Sequence, residues 1–383
     1  MEREGGFCRA FLDFCDLNDG MQLYKLLDTT KSRKPTAKDK EASIQDEVTA
    51  AIVVAWCAGE TSEGLEFALK AVRKWSTRYL ERNAKVRWML TPMLWLTART
   101  RQLAMKLDAK SDSRRFRERV VEVSREVFTQ LHRDKDRREG ALVISCELLR
   151  LYFSLGQVSQ CAFVLTTVGA ASQNNAFDPV KLPKSLLVTL YFLWGRHLVM
   201  AGKIEEAEEK LSQALSICPP KAGRNRRMIL LYLVPCRLRL GRYPSRGLLE
   251  RNRLQSLSGI VAATSSGNVR QFNEELERQE QELVCCGTYW VVEKLRVVAY
   301  RNLVRNVFDL ARTDGAVKSK QDLEPFEQAF LWQDDCTPKE TSCLLAQLIY
   351  LGAVRGYLSD THRKVVFSKE MPFPPVSAWS MKA

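Results

Sequence analysis

The stretch from Glu293 to Pro375 leaves this 383-residue chain the fewest choices. It opens with EKLRVVAYRNLVRNVFDLA. Val292, Leu295, Ala299, Leu303, Val307 and Leu310 recur there at spacings of three and four, so they fall on one face of a long helix. A short second helix follows. The third begins at Thr337-Pro338-Lys339-Glu340. Thr337 can cap it, Pro338 suits the first helical position, and Glu340 can reach back to the cap nitrogen. Leu344, Leu345, Leu348 and Ile349 are its predicted core face, and Gly352 suits a left-handed stop. Tyr357 to Ser359 and Val365 to Ser368 then read as two strands around a polar turn, Asp360 to Lys364. Three helices and a hairpin, in that order, predict a winged helix.

Upstream of Tyr357 no run shows sustained two-residue alternation, and the body reads as helical throughout. The best internal repeat runs from Tyr191 to Pro219. Tyr191, Trp194, Gly195, Leu198, Gly202, Ala207, Leu211, Ala214 and Pro219 stand where a tetratricopeptide-like (TPR-like) helix pair needs large, small, turn and stop residues. Weaker copies end at Gly156 and Gly241, at an irregular period. The predicted fold class is therefore mainly α: an irregular TPR-like helical-repeat solenoid followed by a C-terminal winged helix with a small β-hairpin. The segment Asp28 to Glu41 is polar and basic and reads as an exposed loop. Asn174 to Pro183 marks a step between units, and Thr264 to Asn268 separates two helices. The tail after Phe373 reads as extended, with Trp379 either docked or exposed.

Four segments make the chain recognisable: RRMILLYLVPCRLRLG (Arg226 to Gly241), EKLRVVAYRNL (Glu293 to Leu303), LLAQLIYLGAVRGYLS (Leu344 to Ser359) and PFPP (Pro372 to Pro375). On these the chain resembles the PCI-domain family, scaffold subunits of the proteasome lid, the signalosome and translation initiation factor three. It is most similar to the branch in the transcription-coupled (TREX-type) nuclear mRNA export complex. The resemblance covers about Leu186 to Pro375; Met371 departs from it, standing where the family has a polar residue. The first half matches only in general helical character and reads as N-terminal helical repeats over 1–180 with the basic loop at about 28–41. The resemblance implies the helical part of a PCI domain over 181–310 and a winged helix over 293–371 that shares the long helix, followed by a proline-rich tail over 372–383. It also implies a location in the nucleus, including the pore region, with the cytoplasm as a second compartment, and three partners. These are a large PCI-like scaffold protein, a small acidic Sem/DSS-type protein, and RNA or DNA bound without sequence preference.

The remaining residues narrow the function by exclusion. There is no C-x-x-C among the eleven cysteines, and the three histidines are far apart. Cys146, Cys161 and Cys236 sit in apolar helical stretches, so the reading is buried, reduced thiols in an intracellular protein with no metal and no cofactor. The start carries acids and no signal-like apolar run, and Met228 to Cys236 is too short to span a bilayer. No Gly-rich phosphate loop, nucleophile elbow or local Cys–His pattern supports an enzyme or a small-molecule substrate.

The formal net charge of +14 is unevenly placed. Arg99 to Glu139 holds 13 basic and 8 acidic residues, spaced as ordinary helix-surface pairs. Lys221 to Arg253 holds Lys221, Arg224, Arg226, Arg227, Arg237, Arg239, Arg242, Arg246, Arg251 and Arg253 against the single acid Glu250. So many uncompensated cations point to an anionic ligand, either nucleic acid or an acidic protein segment. The third helix offers only Lys339 and Gln347 for reading bases. Nucleic-acid contacts are therefore expected from Arg355, Arg363, Lys364 and Lys369 to phosphates, unless the wing packs against a partner. Two functions remain: a non-catalytic scaffold of an mRNA export complex that contributes to nucleic-acid binding, and a pure assembly subunit of proteasome-lid or signalosome type.

Overall fold

Segment after segment of this chain can bury a single apolar stripe, and a stripe at helical spacing is satisfied only by packing against the next helix. The computed structural model describes residues 60–81, 86–134, 137–173, 181–310 and 319–379. The basic loop at 28–41 and most of the step at 174–183 lie outside them. The chain divides into two compact units, up to Leu193 and from Trp194 onward.

The first unit stacks α1 (Ser62–Glu81), α2 (Leu90–Ser111), α3 (Arg115–Arg133), α4 (Arg138–Leu155) and α5 (Val158–Gln173), each packed on its sequence neighbour. On α1 the buried stripe is Leu65, Leu69, Val72, Trp75 and Tyr79, and the Trp75 indole donates to Met89 O at 3.2 Å. The α4 helix is apolar almost all round, and residues 139–149 are buried without exception, as a central helix requires. Buried Asp108 accepts from the backbone N–H groups of Phe116 and Arg117 and from the Arg117 guanidinium at 2.6 Å. It thereby serves the open N-terminus of α3, where a carboxylate also meets the helix dipole favourably.

Helix α6 (Lys184–Met200) carries the chain into the second unit, where its end packs on α7 (Ile204–Ile217). A Cβ at Gly195 would lie 2.6 Å from Leu211 Cγ, so only glycine allows this approach. Gly202 makes the turn with φ 76°. The predicted turns at Gly156 and Gly241 are likewise left-handed. Then come α8 (Gly223–Arg239), α9 (Arg246–Arg251), α10 (Ser258–Ser266) and α11 (Val269–Cys286), the last two split at Gly267 as the TSSGN segment predicts.

The long helix expected from Glu293 is two: α12 (Tyr289–Glu293) and α13 (Arg296–Leu310). Tight three-residue bonds, Leu295 N to Val292 O and Val298 N to Leu295 O, separate them. Val292, Leu295, Ala299 and Leu303 stay buried, but Leu310 is 84% exposed and Val307 half-buried, while Val298, Val304 and Phe308 take the core positions.

Next come β1 (Lys320–Asp322), α14 (Glu324–Asp334), α15 (Pro338–Tyr350), β2 (Gly356–Ser359) and β3 (Lys364–Phe367). The sheet is antiparallel, in the order β1-β3-β2. This is a winged helix. Its third helix carries the full capping box of Thr337 and Glu340, and Gly352 ends it at φ 73°. Strand β1 adds a third strand to the expected hairpin; its three residues, Lys-Gln-Asp, show no alternation from which to read it. The sheet's inner residues Val365 and Phe367 are buried, and Phe367 meets Phe308 with ring centroids 4.6 Å apart and Phe326 at 5.8 Å. Of the four predicted core residues on α15, Leu345 and Leu348 are buried, whereas Leu344 and Ile349 are half-buried. Buried Thr341 fills the remaining inward position, its hydroxyl donating to Thr337 O at 3.1 Å. Leu348→Ala should therefore cost about 2–5 kcal/mol in a urea titration, against almost nothing for the exposed Ala346→Ser.

Beyond the sheet the PFPP segment does not run free. Arg301, buried and without a carboxylate partner among the described residues, donates to Phe373 O at 3.1 Å and Pro374 O at 3.2 Å, and lies over the Phe373 ring. Val376 packs on Gly241, and Trp379 is docked, 8% exposed, with its indole N–H on Pro374 O.

The described cysteines are all free. Cys146, Cys161, Cys218, Cys236 and Cys336 are buried, but Cys285 and Cys343 are exposed, which corrects the expectation of uniform burial. Burial pushes the Cys146 and Cys236 thiols up to about 12, so they stay protonated at neutral pH.

Candidate partner-binding surfaces

The ten cations between Lys221 and Arg253 do not form one open patch. Four of them are structural fasteners. Arg226 donates to Leu215 O and Cys218 O, satisfying carbonyls at the end of α7. Arg227 joins Arg253 O and Glu282 at 3.0 and 3.3 Å. Arg237 binds Glu208 at 2.9 Å and Ser212 Oγ at 3.0 Å. Arg239 donates to Lys294 O, and burial lowers its pKa. All four fasteners lie on α8, from which they reach α7, α11 and Lys294, whereas five of the other six cations lie before or after it. These six, Lys221, Arg224, Arg242, Arg246, Arg251 and Arg253, are exposed; among them Arg242 lies 3.6 Å from Glu208, Arg246 pairs with Glu250 at 2.8 Å and Arg251 donates to Gly247 O at 3.0 Å.

Glu208 is the counter-anion for this region. Burial alone would raise its pKa, but hydrogen bonds from Arg237 and Ser212 and the charges of Arg237 and Arg242 outweigh that and hold it below the usual carboxylate range. A carboxyl with a depressed folded-state pKa stabilises above its unfolded pKa and stops doing so as pH falls through the folded value. Glu208→Gln should accordingly flatten the acid limb of a stability–pH curve. The difference from the parent should be greatest near neutrality and vanish in acid.

Beside these arginines the surface is concave. A depression of about 450 Å³ has walls that include Leu249, Val261 and Gln255. A smaller one of about 150 Å³ lies over Leu230, Leu233, Val234 and Leu248. Pro244 lines both. The floors are apolar and the rims carry Arg237, Arg242 and Arg246 together with the acid Glu250, with Tyr243 held at the lip by Asn302 Nδ2 at 3.2 Å. Sequence reasoning finds the cations but not the cavity, because Pro244, Leu249 and Val261 come together only in the folded chain.

The wing is less cationic than its sequence suggests. Arg363, in a left-handed turn at φ 51°, binds Glu327 at 2.5 Å, and Lys364 binds Asp322 at 2.5 Å across β3 and β1. Arg355 and Lys369 are exposed and make no ion pair among the described residues. From Ser319 to Glu370 eight acids stand against six bases. The four predicted phosphate contacts are thus two engaged cations and two free ones. Exposed aromatics that composition does not flag accompany them: Tyr350 at 86%, Trp332 at 71% and Tyr357 at 62%. Among the described residues no helix is long and apolar enough to cross a membrane, and no cluster of side chains could hold a metal ion.

An α-helical repeat body closed by a winged helix defines a class of scaffold-type proteins, and the comparisons give the family. No family model matches the chain. It is 33% identical over 302 residues to the enhanced ethylene response protein 5 of Arabidopsis thaliana, covering 77% of this chain and 72% of that protein. It is 34% identical over 243 residues to a PCI domain-containing protein 2 homolog of Drosophila melanogaster, covering 63% and 59%. It is also 31% identical over 255 residues to a CSN12 homolog of Gibberella zeae, covering 63% and 56%. The match thus spans less than two thirds of the latter two proteins. The chain belongs to the PCI-domain family.

Proposed function

We propose that this protein is a non-catalytic scaffold subunit of a nuclear mRNA export complex. In that reading it pairs with a larger PCI-like protein, holds a small acidic Sem/DSS-type protein against its helical body, and adds cations to sequence-independent RNA or DNA binding. The observation that carries the reading is the pair of depressions around Pro244. Apolar floors rimmed by the exposed Arg242 and Arg246, whose ion pairs with Glu208 and Glu250 are open to water and exchangeable, suit an acidic chain studded with apolar side chains. Nucleic acid would need a track of free cations, and here six of the ten are already engaged, four as fasteners and Arg242 and Arg246 in exposed pairs with Glu208 and Glu250. The arginine-rich stretch is therefore assigned to the acidic protein. Reversing charge at Arg242 and Arg246 together to Glu should abolish co-purification of a small acidic companion from native extract. Charge reversal also sets new carboxylates against Glu208 and Glu250, so Arg242→Gln with Arg246→Gln, which removes the cations without adding acids, should weaken co-purification with little change in melting temperature. Co-purification unchanged by that reversal would remove the groove from the reading.

The pairing of Arg363 and Lys364 favours a second reading, a pure assembly subunit, for which the Gibberella relative's name is the parallel. Heparin retention and its salt dependence separate the two. With Arg355 and Lys369 as the free wing contacts, the log–log salt slope of the winged helix's contribution should be about −1.4 on single strands and −1.8 on duplex. Four free contacts would double those slopes, and a slope near zero would leave assembly alone.

A further inference from the structure

The first unit has a site of its own. Helix α2 turns one whole side, from Thr91 to Gln102, toward α4 and α6, and between the three helices lies a trough of about 320 Å³. Eleven helical steps make this side about 16 Å long. That exceeds most small ligands and matches about five residues of extended chain.

The polar groups lining the trough are mismatched. Trp95 Nε1 is buried from water and has no acceptor among the described residues. Arg99 is half-buried and has no carboxylate within ion-pair distance among them. The one acid, Glu147, is buried and already held by Arg101 at 2.6 Å, with Arg150 at 3.6 Å. Donors therefore outnumber acceptors, and a buried N–H without an acceptor costs stability that a ligand can return. The apolar part of the lining comes from Leu94, Ala98 and the Trp95 ring. Cys146 also faces the trough, but burial keeps its thiol protonated, so the site is built for binding and not for thiol chemistry.

We propose that this trough binds an extended segment of another protein, presenting a carboxylate to Arg99 and the Trp95 indole N–H and an apolar side chain to Leu94 and Ala98. A three-helix trough that accepts extended peptide would give the first unit a partner independent of the groove around Pro244.

The test uses the full chain and a fluorescein-labelled pentapeptide library. Glu is fixed at positions one and five, and Leu, Val or Phe stands at position three. A second library carries Gln in place of both Glu residues. Fluorescence polarisation should show binding by members of the first library, about tenfold or more tighter than by their Gln counterparts. Arg99→Gln should remove that preference, and Trp95→Phe, which keeps an aromatic ring and loses the donor, should weaken binding about three- to tenfold. In a ¹H–¹⁵N spectrum the indole peak that disappears in Trp95→Phe should move on titration of the parent with the best peptide. Glutarate at the same concentration should not displace the peptide, which separates a peptide trough from a small-acid pocket. Equal affinity of the two libraries, an unmoved indole peak, or displacement by glutarate would each overturn the proposal. Both substitutions are checked for unchanged melting, so a folding defect is not read as lost binding.

Discussion

Gly267→Ala should be among the most damaging single substitutions this protein can suffer. Gly267 ends α10 with φ 71°, a conformation that costs an alanine about 1–2 kcal/mol. Steric overlap costs more. An added Cβ would sit 2.5 Å from Leu303 N and 2.7 Å from Asn302 C. These are backbone atoms of α13, which cannot rotate aside as a side chain does. Either α13 shifts or the corner between α10 and α11 opens, and overpacking of that kind costs about 1–3 kcal/mol or more. Backbone strain and overlap together approach about 5 kcal/mol, comparable with the lower end of a domain's whole stability. Neighbouring Asn302 makes the strain worse, because its amide is fixed by Thr264 O at 2.7 Å and Tyr243 OH at 3.2 Å. Urea unfolding should show the second unit's transition displaced far toward zero denaturant. Gly223→Ala, at a glycine with open space around it, should be close to neutral. A loss below about 1 kcal/mol at Gly267 would mean that α13 does not press on this corner.

How much of this is legible in the sequence depends on distance along the chain. The capping box at Thr337, the stop at Gly352, the hairpin around Asp360 and the helix pair at Gly195 and Gly202 are local devices, written within a few residues, and each stands where the pattern puts it. What fails is phase and partnership. A tightened turn at Leu295 breaks the expected long helix in two, and Leu310, the last residue of α13, stands in solvent although its spacing matches the buried face. Charge counts in the sequence do not say which cations already have partners. Glu208 and Glu282 lie 29 and 55 residues from the arginines they hold, Arg237 and Arg227. Glu327 lies 36 residues from Arg363. For the same reason the depressions at Pro244 and the trough beside Trp95 have no sequence signal: each is lined by two or more elements brought together by the fold.

Ending the chain at Met371 should loosen the second unit as a whole, although it removes no residue of a helix or strand named above. The segment from Pro372 to Trp379 is attached at both ends. At one, Arg355 N–H donates to Pro372 O at 2.8 Å, and Phe373 packs on Phe308 and Phe367 with centroids 5.3 and 5.8 Å away. At the other, Val376 sits against Gly241 beyond α8, and Trp379 folds back onto Pro374. Removing it exposes Phe308, Phe367 and the Gly241 turn to water, and takes away the buried side chains Val376 and Trp379. Each fully buried side chain of that size is worth about 1.5–3 kcal/mol, so the loss should be about 4 kcal/mol. The prolines reduce what is regained as freedom in the unfolded chain, so little of this is offset. Arg301 adds to the cost, since it would lose the carbonyls of Phe373 and Pro374 and the Phe373 ring that covers it. Hydrogen exchange should then show faster opening of β2, β3 and α13, with protection in α2 to α4 unchanged. Trp379→Ala alone should give roughly 3 kcal/mol of the effect. If the truncated chain melted with the parent and kept its amide protection, the strap would be a passenger and the winged helix would hold to the helical body without it.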